Sequence, residues 1–205
     1  QMKVAFVTRK TDADIQSFDQ LNGKTVAVMK GSQFEAFLKT NHPAIRRLAF
    51  NNMEQMLEAV WNGEADATLE AEDVIKYWQR KGVNGLKIAG EAKEFNDWKI
   101  QTYHFYLHKD APQLQSLLNK ALASLSPNEL LSMQNKWINP STAEKTAPAG
   151  IMPATFTAEQ REYLRRKGVI RMCVDPDWVP VEYITKDGKY EGMISDVMAR
   201  FAETI

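Results

Sequence analysis

With a single cysteine, Cys173, the chain can form no internal disulfide and no cysteine-based zinc site. Histidine is nearly as scarce: His42, His104 and His108 are the only obvious bases, and His104 and His108 stand four apart without a third ligand nearby in the sequence. A metal or cofactor is therefore not expected, and no nucleophile lies beside a base as a catalytic chain would require. Charge of one sign is absent too, because 26 basic residues offset 26 acidic ones. Nucleic acid is an unexpected partner on that ground, since phosphate recognition draws on a basic excess or patch. No apolar run approaches the roughly 18 residues of a membrane span. Residues 1–10 lack the regions of a signal peptide, which says nothing about a targeting or anchoring segment elsewhere. What is present is an apolar content of 44% with 10% aromatics, enough for an ordinary globular core. Cys173 falls in the apolar strand pattern of Ile170 and Val174, so it is expected to be a buried filler.

Periodicity divides the chain. Residues 4–7 and 25–29 read as strands, and the second stops at Lys30-Gly31-Ser32. Ser32 with Glu35 three residues on is a capping-box pattern, followed by Phe34, Phe37 and Leu38 at helical spacing, so a strand feeds directly into a helix N-terminus. Met53, Met56, Leu57 and Val60 mark a second helix closed by Gly63, residues 65–69 a strand, and 74–78 part of a third helix. Strands at 86–89 and 102–108 complete an alternation that predicts an α/β layer with a mainly parallel sheet.

From Ala111 onward the pattern is helical only. Leu114, Leu117, Leu118, Ala121 and Leu122 form one stripe, and Ser126-Pro127-Asn128-Glu129 opens a second helix running to Trp137. Residues 139–155 are rich in Pro, Ala, Thr and Ser without periodicity and read as a linker. Thr157 to Gln160 then caps a helix to about Lys167, a strand is expected at 169–174, Asp187-Gly188 signals a hairpin turn, and a last helix starts near Ile194.

The order of these features over 4–138 resembles the second lobe and C-terminal helices of the family 3 periplasmic solute-binding proteins, the polar amino-acid-binding type of Venus flytrap. The residues that carry it are Leu21-Asn22-Gly23-Lys24-Thr25-Val26-Ala27-Val28, the Gly31-Ser32 turn, Leu57 with Asn62-Gly63-Glu64-Ala65-Asp66-Ala67, the 105–111 and 114–122 stretches, and Lys136-Trp137. After the linker, Ile170 to Gly192 looks like the opening of a second copy. The resemblance implies three parts: 1–138 as the second lobe and C-terminal helices of a first solute-binding domain, 139–155 as linker, and 156–205 as the start of the first lobe of a second. It implies too that the chain is a piece of a longer polypeptide.

In the family, the turn matching Gly31, Ser32 and Gln33 grips the ligand carboxylate, as suits free N–H groups at the positive end of a helix dipole. An acidic residue that receives the ligand ammonium is replaced here by Ala71, with Glu70 and Glu72 as its neighbours and candidate substitutes, while Asp66 is expected to fix a turn. In the second copy, Trp178 matches a ligand-stacking aromatic and Asp175 a polar strand end; Val181 stands where the family commonly has phenylalanine. The family's carboxylate-clamping arginine belongs to first-lobe sequence that the chain does not contain, so weak ligand binding by these residues alone is expected.

A join of one flytrap to the next is similar to the periplasmic sensor regions of virulence-type hybrid histidine kinases and membrane-bound diguanylate cyclases. It implies a non-enzymatic, periplasmic, ligand-sensing module for a small polar solute such as an amino acid or carboxylate, in a membrane-anchored parent whose output domain is a kinase or cyclase. The alternatives are the substrate-binding component of an amino-acid-type ABC transporter and the regulatory half of a lytic transglycosylase. A homodimer or exchange of elements is expected if the Cys173 strand and the apolar side of the last helix are left uncovered.

Overall fold

A computed structural model describes residues 3–98, 104–138 and 155–203. The chain divides into two compact units, Gln1–Tyr103 and His104–Ile205.

In the first unit, β1 (Val4–Arg9), β2 (Thr25–Met29), β3 (Arg46–Phe50), β4 (Ala67–Ala71) and β5 (Leu86–Glu91) form one sheet in the order β3-β2-β4-β1-β5. The three strands β3, β2 and β4 run parallel, whereas β1 pairs antiparallel with both β4 and β5. The sheet is thus mixed, mostly parallel where it meets the helices that follow each strand. Helices α1 (Gln33–Asn41), α2 (Met53–Asn62), α3 (Glu72–Arg80) and α4 (Lys93–Trp98) complete the unit.

Alternation along the strands sends Val4, Phe6, Val26, Val28, Ala67 and Leu69 into one core with Phe34, Phe37 and Leu38 of α1 and Phe95 of α4. Aromatic edges tie that layer: Phe18 lies 4.8 Å from Phe6 and stacks on His42 at 4.5 Å. His42 in turn meets Glu94 at 2.8 Å, so it ties the end of α1 to α4. On the opposite face Thr68 meets Met56 of α2 and donates to the Ala27 carbonyl at 2.8 Å. α2 ends as its sequence predicts, with Gly63 in the left-handed region at φ 83°, and the Arg9 guanidinium donates to the Val60 and Ala65 carbonyls beside that end. Asp66 fixes its turn by accepting from the Thr25 N–H at 2.8 Å.

In the second unit, α5 (Pro112–Ala123), α6 (Pro127–Ile138), α7 (Ala158–Lys167) and α8 (Met193–Ala202) accompany a small antiparallel sheet of β6 (Asp177–Trp178), β7 (Glu182–Ile184) and β8 (Tyr190–Glu191). Caps read from sequence form as expected: Ser126 and Glu129 bond reciprocally at the start of α6, and Thr157 and Gln160 at the start of α7. Gly188, with φ 82°, makes the turn between β7 and β8.

Two strand expectations fail here. Residues 104–108 and 169–174 join no ladder among the described residues, and 102–103 fall outside them. Leu107 and Ile170 are instead apolar cover for a cluster of Leu118, Ala121 and Phe201. Because 169–174 has no strand beside it, Cys173 is exposed rather than buried, as are Val169 and Met172. The apolar side of α8, by contrast, is not left bare: Phe201 and Met198 pack within the chain on α5. Of the linker stretch only Thr155 lies among the described residues. No described helix is long and apolar enough to cross a membrane.

Candidate functional site

The parallel register of β3, β2 and β4 brings their C-terminal ends to one edge of the first unit. Met29 at the end of β2 lies opposite Phe50 at the end of β3, and Val26 and Ala27 lie opposite Ala67 and Thr68 of β4. Each of these strands feeds a helix: α1 begins after Lys30-Gly31-Ser32, α2 after Asn51-Asn52, and α3 directly after Ala71. Three helix N-termini therefore open at the same edge, which is where unpaired N–H groups and positive dipole ends collect.

Gly31, Ser32 and Gln33 occupy the middle junction. Gly31 takes φ +76°, a conformation that a side chain disfavours, and this lets the chain reverse from β2 into α1. The Gly31 N–H donates to Glu35 Oε2 at 2.6 Å and the Ser32 N–H to the Met29 carbonyl at 3.0 Å. Ser32 Oγ accepts from the Glu35 N–H at 3.2 Å, so Ser32 caps its own helix. The N–H groups of Gln33 and Phe34 donate to no described residue. Sequence reasoning placed the open donors across Gly31 to Gln33; the structure narrows them to Gln33 and Phe34. The sequence shows that Glu35 closes a capping pattern, but which backbone N–H it answers is a matter of geometry.

Glu70 and Glu72 stand at the end of the neighbouring strand, on the same edge as the turn. Their side chains differ sharply. Glu72 is partly exposed and pairs with Lys76 one turn along α3, at 3.2 Å. Glu70 is only 3% exposed, because β4 is covered on both faces along its whole length. One carboxylate oxygen accepts from the Ala71 N–H at 2.7 Å. Burial raises its pKa to about 7, an effect that the Ala71 hydrogen bond only partly offsets. Ala71 itself is fully buried.

The two second-copy candidates belong to the other unit. Asp175 Oδ1 accepts from the Asp177 N–H at 2.9 Å, an Asx-type turn, and the Asp175 N–H donates to Glu182 Oε1 at 3.1 Å. Trp178 lies in β6 opposite Glu182 and is half-buried. Both residues thus build the start of the small sheet. One contributor at the first-unit edge went unnoticed in the sequence: Asn52, whose side chain accepts from the Gln55 N–H at 2.9 Å and caps α2, had its signal in an Asn directly before a helical apolar run. The described residues hold no group of three metal-ligating side chains. His104 and His108 are exposed, and His108 faces Asp110 at 3.4 Å.

This arrangement has counterparts of known structure. The periplasmic VFT2 domain of BvgS from Bordetella pertussis superposes with a TM-score of 0.51 at 27% identity, covering 66% of this chain and 57% of that one. The chain shares the Venus flytrap fold. A solute receptor for L-cysteine from Neisseria gonorrhoeae shares the fold at 20% identity, with a TM-score of 0.53 over 72% of this chain and 58% of that one. In sequence, this flytrap chain is 28% identical over 135 residues to the virulence sensor protein BvgS of Bordetella pertussis, covering 65% of the chain and 11% of the sensor. It is 30% identical over 137 residues to the probable amino-acid-binding protein YxeM of Bacillus subtilis, covering 65% of the chain and 50% of that protein. The chain thus spans about a tenth of the sensor and half of the binding protein. No protein-family model matches. The proteins similar to this chain thus include both a sensor and a probable amino-acid-binding protein.

Proposed function

We propose that this chain is part of an extracytoplasmic ligand-sensing module of a membrane signalling protein, taking a small polar or anionic solute at the edge where β2, β3 and β4 end. The observation that carries the reading is the pair of unoccupied donors, the Gln33 and Phe34 N–H groups, at the N-terminus of α1. A carboxylate set there accepts two backbone hydrogen bonds and meets the helix dipole. The likeness to the BvgS periplasmic region favours a sensor. The likeness to YxeM supports the second reading, a binding component that delivers solute to a transporter.

Proline tests the donor role without disturbing the helix. Gln33 is the first residue of α1, the position where proline's fixed φ fits and its missing N–H breaks no helical bond. In amide-resolved titrations with millimolar glutamate, arginine or citrate, the Gln33 and Phe34 resonances should move saturably, and Gln33→Pro should lower the affinity about tenfold, the loss of a charge-assisted hydrogen bond. Titration of other amides while those two stay still would overturn the assignment. Reading the coding region beyond Ile205 separates sensor from transport component: a membrane span followed by a kinase or cyclase domain supports the first, a stop soon after a completed flytrap the second.

A further inference from the structure

The residues on either side of the linker stretch are complementary. α6 precedes it, α8 follows it, and they meet through opposite charges. Asp196 of α8 receives Lys136 Nζ at 2.7 Å and 3.0 Å and the Trp137 indole N–H at 2.7 Å. Two turns back along α6, Glu129 faces Arg200 at 3.5 Å, with both side chains only 11–13% exposed. The start of α6 thus meets the end of α8, and the helices run antiparallel. The Trp137 ring meets Tyr183 of β7 edge-on at 6.2 Å. α5 is tied to α7 in the same way, Lys120 donating to Gln160 Oε1 at 2.8 Å and Gln160 to Ser116 Oγ at 2.9 Å. Beneath these contacts Leu118 and Ala121 share a core with Phe201 and Met198.

We propose that residues 104–138 and 156–205 are one folding unit, so that the linker sequence closes a loop within a lobe instead of separating two domains, and that Asp196 with Lys136 and Trp137 is the latch. A stretch as long as 139–155 reaches about 55 Å when extended. Connectivity alone therefore does not bring α7 and α8 onto α5 and α6; the matched charges and shared core do. A charge pair with an indole donor on the same carboxylate fixes register as well as contact. The same surface is a rigid joint: a displacement of α6 is carried to α8 and the β6-β7-β8 sheet. This inference does not depend on whether the first-unit edge binds a solute.

The test changes residues before the linker and reads protection after it, by hydrogen exchange of the α8 amides (Met193–Ala202) in the whole chain. Trp137→Ala should speed that exchange about tenfold or more, and Lys136→Glu by several-fold. Adding Asp196→Lys to Lys136→Glu restores the charge pair but not the acceptor of the Trp137 indole, so it should recover part of the lost protection, which a merely damaged α6 would not allow. Slow exchange of the β1, β2 and β4 amides in every variant serves as the control that the first unit is intact. If α8 protection stays within twofold of wild type in both single variants, the two segments fold separately and the proposal fails. It fails equally if the reversed pair is no better protected than Lys136→Glu alone.

Discussion

Glu70→Gln is expected to stabilise the first unit by about 3 kcal/mol at pH 8 and to change little at pH 4. The carboxyl is 3% exposed and its pKa rises from 4.5 to about 7 on folding. A folded pKa above the unfolded one means that the native state holds the proton more tightly. Stability linked to this group is therefore complete below the unfolded value, falls as pH rises from about 4.5 to about 7, and is absent above. A carboxyl whose pKa lies at 4.5 unfolded and about 7 folded carries about 3 kcal/mol by this linkage, at about 1.36 kcal/mol for each tenfold change in proton affinity. Glutamine keeps an oxygen for the Ala71 N–H and has no proton to lose. Urea unfolding of both proteins across pH 4–8 decides the matter: parallel curves would mean that the buried carboxylate is stabilised by something other than a proton.

A loss of stability is expected from Gly90→Ala. Gly90 lies in β5 opposite Phe6, where the pairing with β1 slips by one residue between Phe6 and Val7. There the chain leading out of β1 comes back over the strand, the Ile15 N–H bonding to the Ala89 carbonyl at 3.0 Å. A β-carbon on Gly90 would sit 2.0 Å from the Ile15 carbonyl oxygen, well inside contact distance and against backbone that cannot swing away. Overpacking of this kind costs typically 1–3 kcal/mol, and losing the Ile15 bond adds to it, so we expect at least about 3 kcal/mol. Gly63→Ala is the comparison: its β-carbon would meet only Arg9 Nη1 at 3.7 Å, leaving the left-handed conformation as the penalty, about 1–2 kcal/mol. Thermal unfolding should rank the two in that order. A Gly90→Ala protein as stable as Gly63→Ala would show that the 10–17 segment moves freely off the sheet.

The sequence made the first unit readable because its signals are local. Ser32-x-x-Glu35, the Gly63 stop and the alternation of apolar strands with capped helices depend on neighbours a few residues away, and those elements form where they were expected. What periodicity cannot supply is partnership. Residues 169–174 have the composition of a strand, yet a strand needs another beside it, and none of the described ones is; Cys173 is exposed for that reason. Direction is hidden in the same way, since nothing in Val4 to Val7 says that β1 runs against β4 while β2 runs with it. At the candidate site, the turn was legible and the state of its donors was not. A capping pattern names Glu35, but only the bond to Gly31 shows that one N–H is already taken and that Gln33 and Phe34 remain. Glu70 is a further case: the sequence places a carboxylate near a strand end, and only the fold shows that β4 is buried along its whole length, on both faces.

Strand order has a further consequence at the margin of the sheet. β3 is outermost on its side, with Arg46 and Arg47 both exposed along it. A free row of backbone donors and acceptors is an invitation to any other extended chain, and two adjacent guanidinium groups make that approach unfavourable by desolvation and by mutual repulsion when like meets like. On the far margin, β5 carries Lys87, held by Asp14 at 2.7 Å. Charge along β3 thus disfavours the addition of a further strand on that side of the described sheet.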